Sequence, residues 1–467
     1  MKIPLLAVFC ASISLAWWSP PIDLGIEGVN DINPQACRAQ VLDDLWIVVV
    51  WESNLNGYDD IFSRFSNGST WSDTFRISTD VFMDESPSVA YDPARDCFWC
   101  VWHYYGSGND GIYVSQGSEI NGWSPPHQLT SDTLMEDLPS ICVISDTVWV
   151  VWQRGLLIGD SVSFMNIYAS YYDGTSWSTP YPLTNDSEVV NCRPKINIRY
   201  DHPLVVWQKI ESASNIYYTE YLNGSWQIPQ PITDDTYFNA NPEIASLGQY
   251  SGIWIVWETN RDGNYEIYTT AFDTLNVQYR RTFNDSADIT PSPLPFMAIG
   301  RQEGPPITAF STNRNGNYDV YTLFSLGYPG DTLIQVDTSR ADDVWPVMTG
   351  SLMYLWVFWQ TNRDGDWDIY GSYIFIDRVQ EDGKKTLWRS IPYISPNPTR
   401  ASFTIHSPTP LQDIEIYDVC GRLLKAESWS EVQRKREVSL VNVDPGVYFV
   451  KVITEGNEFI RKVVVAR

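Results

Sequence analysis

The sequence predicts an all-β protein, a seven-bladed β-propeller closed by an N-terminal outer strand and followed by a small C-terminal β-sandwich. Three observations predict it. One pattern of strand and turn signals occurs seven times, at a period near fifty residues. The main strand of each copy is apolar on both faces, as expected for a sheet covered on both sides by its neighbours. After residue 393 the composition changes to short alternating strands.

The repeat is clearest at residues 257–268, where Trp257 ends an apolar run, Asn260 to Gly263 form a turn, and Ile267-Tyr268 begin the next strand. The aromatic residue that ends the apolar run aligns the copies: Trp51, Trp102, Trp152, Trp207, Trp257, Phe310 and Trp359. A first strand that contains a proline precedes each run, at Pro34, Pro87, Pro139, Pro194, Pro242, Pro291 or Pro293, and Pro346. In most copies a Gly turn and a fourth strand that opens with Trp follow, so four strands are expected per copy.

The seventh copy has no recognisable fourth strand after Tyr373. The segment Trp18–Leu24 has the same form as Trp123–Leu129, the fourth strand of the second copy. We expect this N-terminal segment to add as the outer strand of the last blade. Such closure removes the exposed sheet edges that an open array would carry.

The predicted domains follow from these boundaries. Residues 1–16 have the charge, the short apolar core and the small-residue cleavage site of a secretory signal peptide. Residues 17–378 form the propeller, residues 379–393 a polar linker, and residues 394–467 the small sandwich. Export permits disulfides, but Cys97 and Cys100 lie on opposite faces of one strand, which favours unpaired buried thiols.

The charge limits the possible partners. The formal net charge is −26, and the residues before 379 carry 18 Lys and Arg against 46 Asp and Glu. An acidic surface repels nucleic acid, so no nucleic-acid partner is expected. No apolar stretch after the signal approaches the twenty residues that span a bilayer, so no membrane span is expected.

The tail resembles the type A C-terminal sorting domain of the bacterial type IX secretion system. The resemblance rests on Ile394-Ser395-Pro396-Asn397-Pro398, on Ile416 to Arg422, and on Pro445 to Val452 followed by Arg461 to Val465. Its motif residues in this chain are Pro396, Asn397, Pro398, Gly421, Gly446, Tyr448 and Lys462. The resemblance implies that the type IX machinery recognises the tail, and that the mature protein is secreted or anchored at the outer cell surface.

The repeats resemble those of TolB-like propellers, which carry an Asn-Arg-Asp-Gly turn before an Ile-Tyr strand. The fifth and seventh copies have this turn in full, the sixth has Arg314-Asn315-Gly316, and the first has Asn54-Leu55-Asn56-Gly57. Some Gly-x-x-Trp turns are similar to sialidase Asp-boxes, although the full Ser-x-Asp-x-Gly order is absent. Neither resemblance implies a particular reaction, since propellers host many functions.

Copies 5, 6, 7 and 1 would be neighbours in a closed ring, so their turns would form one contiguous arc. As a binding surface, this arc would offer Arg261, Arg314, Arg363, Asp262, Asp364, Asp366 and Asp368. The alternative is that Asn and Gly occur there because the turn needs positive φ, and Asp and Arg because the turn is exposed to solvent. Tyr104 and Tyr105, expected in a loop, are further candidates because aromatic residues are enriched at recognition surfaces.

The sequence contains fewer indications of a metal site or of catalytic residues. Residues Asn362–Asp368 place several oxygen ligands in one turn, which keeps a Ca²⁺ site open as the alternative to no cofactor. Glu52 and Glu258 are a conceivable carboxylate pair, but their copies are not adjacent, and the polar residue at this position of each copy is explained by a strand end that meets solvent. The favoured hypothesis is therefore a non-catalytic binding or scaffolding module for an extracellular protein or glycan. The alternative is a sialidase-like glycan hydrolase.

Overall fold

The computed structural model describes residues 18–40, 45–67, 70–79, 81–106, 109–131, 134–158, 161–246, 252–294, 305–324, 332–350, 354–375, 393–395, 402–418, 422–440, 443, 445–454 and 457–465. The chain divides into two compact units, Met1–Phe375 and Ile376–Arg467. The predicted signal peptide and all of the predicted linker but Tyr393 lie outside the described residues. The helices within the described part do not include one that is long and apolar enough to cross a membrane.

The N-terminal unit consists of groups of antiparallel strands that follow one another along the chain, preceded by the short strand β1 (Ile22–Asp23). Each group is called a sheet below, although the third and fourth are joined by one parallel pair between Met165 and Val190. Sheet 1 contains β2 (Asp31–Gln40), β3 (Leu45–Ser53), β4 (Asp60–Ser66) and β5 (Phe75–Arg76). Sheet 2 contains β6 (Met83–Asp92), β7 (Cys97–Gly106), β8 (Asn109–Ser118), β9 (Gly122–Trp123) and β10 (His127–Gln128). Sheet 3 contains β11 (Met135–Ile144), β12 (Thr147–Ile158), β13 (Ser161–Tyr172) and β14 (Tyr181–Pro182).

The remaining sheets of this unit repeat the order. Sheet 4 contains β15 (Val190–Arg199), β16 (His202–Ile210), β17 (Ser214–Leu222), β18 (Ser225–Trp226) and β19 (Gln230–Pro231). Sheet 5 contains β20 (Asn239–Ala245), β21 (Trp254–Thr259), β22 (Glu266–Ala271) and β23 (Tyr279–Arg280), with a 3-10 helix at Phe272–Thr274. Sheet 6 contains β24 (Asp288–Leu294), β25 (Ile307–Thr312), β26 (Asp319–Phe324) and β27 (Thr332–Gln335). Sheet 7 contains β28 (Asp343–Gly350), β29 (Tyr354–Thr361) and β30 (Asp368–Phe375).

The N-terminal segment pairs with the last of these sheets. In the antiparallel pair of β1 and β30, Ile22 lies opposite Gly371 and Asp23 opposite Tyr370. Leu24 donates its backbone N–H to the carbonyl of Ile369 at 2.8 Å and is fully buried. The order within this sheet is therefore β1-β30-β29-β28, which matches the order of strands from the outer to the inner edge in the other sheets.

The core lies between successive sheets. In β3 the run Ile47–Trp51 is fully buried, because one face packs on one neighbouring sheet and the other face on the next. Val48 and Val50 contact Phe98 and Trp102 of sheet 2, while the alternate residues Ile47, Val49 and Trp51 contact Trp356 and Phe358 of sheet 7. Equivalent apolar clusters join sheets 2 and 3, 3 and 4, 4 and 5, and 5 and 6. This succession of sheets stacked face to face is a β-propeller.

A buried polar contact recurs within the sheets. The indole N–H of Trp102 donates to Asp84 at 2.7 Å, and that of Trp152 donates to Glu136 at 3.1 Å. Trp207 and Trp257 donate in the same way to Asn191 and Asn239. The acceptor is the side chain that begins or nearly begins the first strand, and it satisfies a donor that burial would otherwise leave without a partner.

The hairpins between the second and third strands differ around the unit. In sheets 2, 3 and 4 these strands continue past the positions where the first sheet turns, to Gly106, Ile158 and Ile210. The sequence predicts that these copies have lost the turn, and the extended strands replace it. Tyr104 and Tyr105 therefore lie in β7, and their expected placement in a loop is wrong.

The C-terminal unit is a sheet of β31 (Tyr393–Ser395), β32 (Ser402–Asp418), β33 (Leu423–Ser439), β34 (Gly446–Thr454) and β35 (Asn457–Val465). Its buried side chains include Phe403, Ile405, Ile414, Val450 and Val463. The sequence predicts two strands, Ala401 to Ile405 and Asp413 to Val419, where β32 runs without a break, and it does not predict β33. The register of β32 shifts between His406 and Leu411, in the stretch that separates the two predicted strands.

Candidate functional site

Each first strand of the propeller contains the same irregularity near its start. Between Ile32 and Gln35 of β2 the register shifts, so that two residues oppose one on the neighbouring strand, which is a β-bulge. The residue before the proline has a φ of +48° to +55° in every sheet. These seven bulge residues are Asn33, Ser86, Leu138, Arg193, Asn241, Thr290 and Trp345. The prolines that follow them are all buried.

A hydrogen bond from one sheet to the next holds the bulge in several places. The backbone N–H of Ser86 donates to the Glu52 carboxyl of sheet 1 at 2.6 Å, and that of Thr290 donates to Glu258 of sheet 5 at 2.7 Å. The N–H of Arg193 donates to Gln153 of sheet 3 at 3.0 Å. The same bond joins the last sheet to the first, since the N–H of Asn33 donates to Gln360 at 2.8 Å.

These acceptors correct one expectation from the sequence. The polar residue that follows each strand-closing aromatic was expected to meet solvent, but Glu52 is 5% exposed and Glu258 is 6% exposed. The physical reason is that this position lies against the bulge of the next sheet, where an N–H outside the strand ladder needs an acceptor. Burial raises the pKa of Glu52 to about 8 and also raises the pKa of Glu258.

The bulge residues line a cavity along the axis of the propeller, with a volume of about 930 Å³ that includes open solvent. All seven first strands contribute to its wall through the bulge residue and the proline after it. The bulges lie near the starts of the first strands, at the end of each sheet where the second and third strands are joined. We call this opening the channel mouth, and it is the candidate functional site.

The three predicted arc arginines share one set of contacts. Each guanidinium lies over the ring of the tyrosine at the third position of the next strand. The distances to the ring centroid are 4.5 Å from Arg261 to Tyr268, 4.6 Å from Arg314 to Tyr321 and 4.1 Å from Arg363 to Tyr370. Each also pairs with a carboxylate, as in the contacts from Arg261 to Asp235, from Arg314 to Asp288, and from Arg363 to Asp337 and Asp343. These contacts hold the guanidinium groups against the propeller itself, and the binding role of the arc stays a prediction.

The arc aspartates are also engaged by the protein. Asp262 accepts a hydrogen bond from Tyr268 at 2.6 Å, and Asp364 accepts one from Tyr370 at 2.9 Å. Asp366 is half-buried. Asp368 is buried, and burial together with neighbouring carboxylates raises its pKa to about 7.

No group of three or more His, Cys, Asp or Glu side chains within the described ranges is arranged to hold a metal ion. The turn Asn362–Asp368 lies within those ranges. The Ca²⁺ site suggested by this turn stays a prediction.

The predicted aromatic pair lies on the extended hairpin of sheet 2. Tyr104 packs on Tyr113 with ring centroids 4.9 Å apart, whereas Tyr105 is 55% exposed. Beside them lies His103, which was expected to meet solvent like the other polar residues at this position but is 4% exposed, with its Nδ1 3.5 Å from Asp137. Burial lowers the pKa of His103, while Asp137 and Asp110 oppose that shift.

The sorting-motif residues are only partly within the described chain. Gly446 begins β34, Tyr448 is buried in the core of the C-terminal unit, and Lys462 lies opposite Phe449 in the strand pair. Pro396, Asn397, Pro398 and Gly421 lie outside the described residues.

Comparison with known families identifies the tail. Residues 393–466 match the family described as "Secretion system C-terminal sorting domain". The protein is therefore secreted by the type IX pathway and is attached at the cell surface or released. Among curated protein sequences, none matches this chain.

Solved structures resemble the chain at low identity. A puromycin-hydrolysing peptidase of Mycobacterium tuberculosis is 10% identical with a TM-score of 0.50, covering 84% of this chain and 61% of that chain. The polysaccharide lyase Uly1 is 9% identical with a TM-score of 0.47, covering 73% of this chain and 90% of that one. A sialidase of Trypanosoma rangeli is 7% identical with a TM-score of 0.42, covering 95% and 88%. At these identities the likeness concerns the fold alone.

Proposed function

We propose that this exported propeller is a non-catalytic binding module that captures an extracellular glycan or protein at its channel mouth. The observation that carries the proposal is the role of Glu52 and Glu258, the two carboxyls that accept bulge N–H groups. Glu52 accepts hydrogen bonds from the Ser86 backbone and from the Asn33 side chain, at 2.6 and 2.7 Å. Glu258 accepts the Thr290 N–H in the same way. Carboxyls committed to the neighbouring sheet serve as structural acceptors, whereas glycoside cleavage needs a pair placed about 5–10 Å apart across the substrate.

The proposal includes a closed ring of seven four-stranded blades whose last outer strand is the segment that follows the signal peptide. The pairing of β1 with β30, the apolar cluster between sheets 7 and 1, and the bond from Asn33 to Gln360 support closure. A closed ring brings all seven bulge residues around one opening, and it leaves no open face between the first and last sheets. The N-terminal signal and the sorting tail then act in export, so that the propeller is the part that remains to bind a partner.

Binding and turnover can be measured on the same preparation. The purified chain would be screened against immobilised glycans and surface proteins, and in parallel against chromogenic glycosides and sialosides. The proposal expects a bound ligand and no turnover. Hydrolysis that disappears in both Glu52→Gln and Glu258→Gln would overturn it in favour of the glycan hydrolase. If substitutions around the channel mouth leave ligand binding unchanged, the binding site lies elsewhere on the propeller.

A further inference from the structure

Arg193 differs from the other cations of the propeller. It is an exposed bulge residue on the channel wall, with its backbone fixed by the hydrogen bond to Gln153. Its guanidinium takes part in none of the hydrogen bonds or ion pairs within the described ranges. By contrast, Lys195 on the same wall pairs with Glu243 at 2.7 Å. Arg193 is therefore a cation of the channel mouth that makes no side-chain hydrogen bond or ion pair within the described ranges, although its charge acts on Glu258.

Trp345 is the second unusual residue of this ring. It is 44% exposed, lines the same cavity, and contacts no other aromatic ring in the described part of the chain. A bulky side chain at a φ of 53° is strained relative to glycine at that position. Stability alone would favour Asn or Gly there, so an exposed indole at this point needs another explanation.

The two side chains lie on opposite sides of the mouth if the seven sheets form a ring, because sheets 4 and 7 are three apart. The buried carboxyls Glu52 and Glu258 are committed by hydrogen bonds to the bulges of the next sheets rather than to Arg193. Glu52 is protonated at neutral pH because burial raises its pKa to about 8. Burial also raises the pKa of Glu258, and the positive charge of Arg193 opposes that shift only as a minor contribution. A ligand that brings a negative charge to Arg193 is thus favoured, although the protein as a whole carries −26.

Small polar side chains fill much of the rest of the ring. Asn33 donates one amide hydrogen to Glu52 at 2.7 Å, which leaves its other hydrogen and its carbonyl oxygen for a ligand. Ser86 donates its hydroxyl to Asp137 at 3.2 Å and retains an acceptor position. Hydrogen-bonding groups spread around a ring suit a ligand with hydroxyl groups on all sides, and the exposed indole suits the flat apolar face of a sugar ring.

We propose that the channel mouth binds a saccharide that carries a carboxylate, with Arg193 pairing to the carboxylate and Trp345 packing on the sugar ring. This inference rests on the proposed binding function and names its ligand class. A guanidinium suits this role because it can donate two parallel hydrogen bonds to one carboxylate. Loss of such a charged hydrogen bond weakens binding by about 10- to 100-fold.

The test measures binding of the full chain to an array of uronic-acid and sialic-acid glycans, together with their neutral methyl esters and peptides with a free terminal carboxylate. Wild type is expected to bind carboxylated glycans and to lose at least about tenfold in affinity when they are esterified. Arg193→Gln and Trp345→Ala are each expected to lose a similar factor. Arg340→Gln is the matched control, because Arg340 is an exposed arginine of the loop before β28 and does not line the cavity. Thermal unfolding of each variant shows whether it is folded.

Several results would overturn the inference. These are equal binding of esters and acids, undiminished binding by folded Arg193→Gln, the absence of any carboxylated ligand, or a preference for the peptides. A neutral glycan or a peptide captured at the channel mouth would leave the proposed binding function intact while refuting this ligand class. Turnover of the bound glycan would refute the proposed function and leave the ligand class standing.

Discussion

Replacing Glu52 with Gln should stabilise the protein, and increasingly so as the pH rises. The carboxyl has a pKa of about 8 in the folded chain against 4.5 as its ordinary value. Below pH 4.5 both states are protonated and the group costs nothing. Between pH 4.5 and 8 the unfolded chain loses its proton while the folded chain keeps it, so stability falls with pH. At pH 7, about 2.5 units above the pKa of the unfolded chain, the buried carboxyl lowers the free energy of unfolding by about 3 kcal/mol.

The variant keeps the acceptor that the fold needs, because Gln360 already accepts the equivalent N–H in sheet 7. With an unfolding entropy of about 2 cal/mol/K per residue over roughly 350 residues, 3 kcal/mol corresponds to about 4 °C in Tm. In circular dichroism melts, Glu52→Gln should leave Tm unchanged at pH 4 and raise it by about 4 °C at pH 7. The reverse change Gln360→Glu is the control and should lose stability as the pH rises. A difference in Tm that is the same at both pH values, or a loss of stability at pH 7, would refute the reasoning.

The other predictions concern closure, the arc and export. Leu24→Ala should cost about 2–4 kcal/mol, because Leu24 is fully buried between sheets 7 and 1, and a melt unchanged by it would contradict ring closure. Arg363→Gln should lower Tm, because it removes a partner of the fully buried Asp343, whereas a binding role for the arc would instead lower affinity with Tm unchanged. Deleting residues 393–466 should abolish delivery to the cell surface or medium, as fractionation and immunoblotting would show; normal secretion without them would refute the role of the tail.

The sequence predicted the features that are encoded in repeated local patterns. The all-β class, the propeller and the sorting tail are confirmed, because strands with two apolar faces and a motif-rich tail are local properties of the chain. The number of blades and the closure by Trp18–Leu24 stay proposals. The missing turns of copies 2 to 4 were visible in the sequence, but their replacement by longer hairpins was not, since β7 beyond Trp102 has no distinct apolar period.

The bulge residues were missed for a physical reason. The residue before a proline is expected to be extended, and nothing in Leu138, Thr290 or Trp345 suggests a positive φ. At Asn33, Ser86, Arg193 and Thr290 a side chain of the neighbouring sheet accepts the displaced N–H, which is a contact between residues far apart in the sequence. For the same reason the burial of Glu52 was not predicted, because its partner Ser86 lies 34 residues away in the next sheet.

Comparison among the arginines separates the scaffold from the candidate site. Arg261, Arg314 and Arg363 occupy equivalent turns, and each lies over a tyrosine and against a carboxylate, so the repeat itself explains them. At the position of Arg193 the other six sheets have an uncharged residue, namely Asn33, Ser86, Leu138, Asn241, Thr290 and Trp345, so the repeat does not explain the arginine. A residue that the repeat explains is expected to affect stability when it is changed. A residue that departs from the repeat, is exposed and makes no side-chain hydrogen bond or ion pair within the described part of the chain is expected to affect ligand binding. The binding test therefore centres on Arg193 and Trp345.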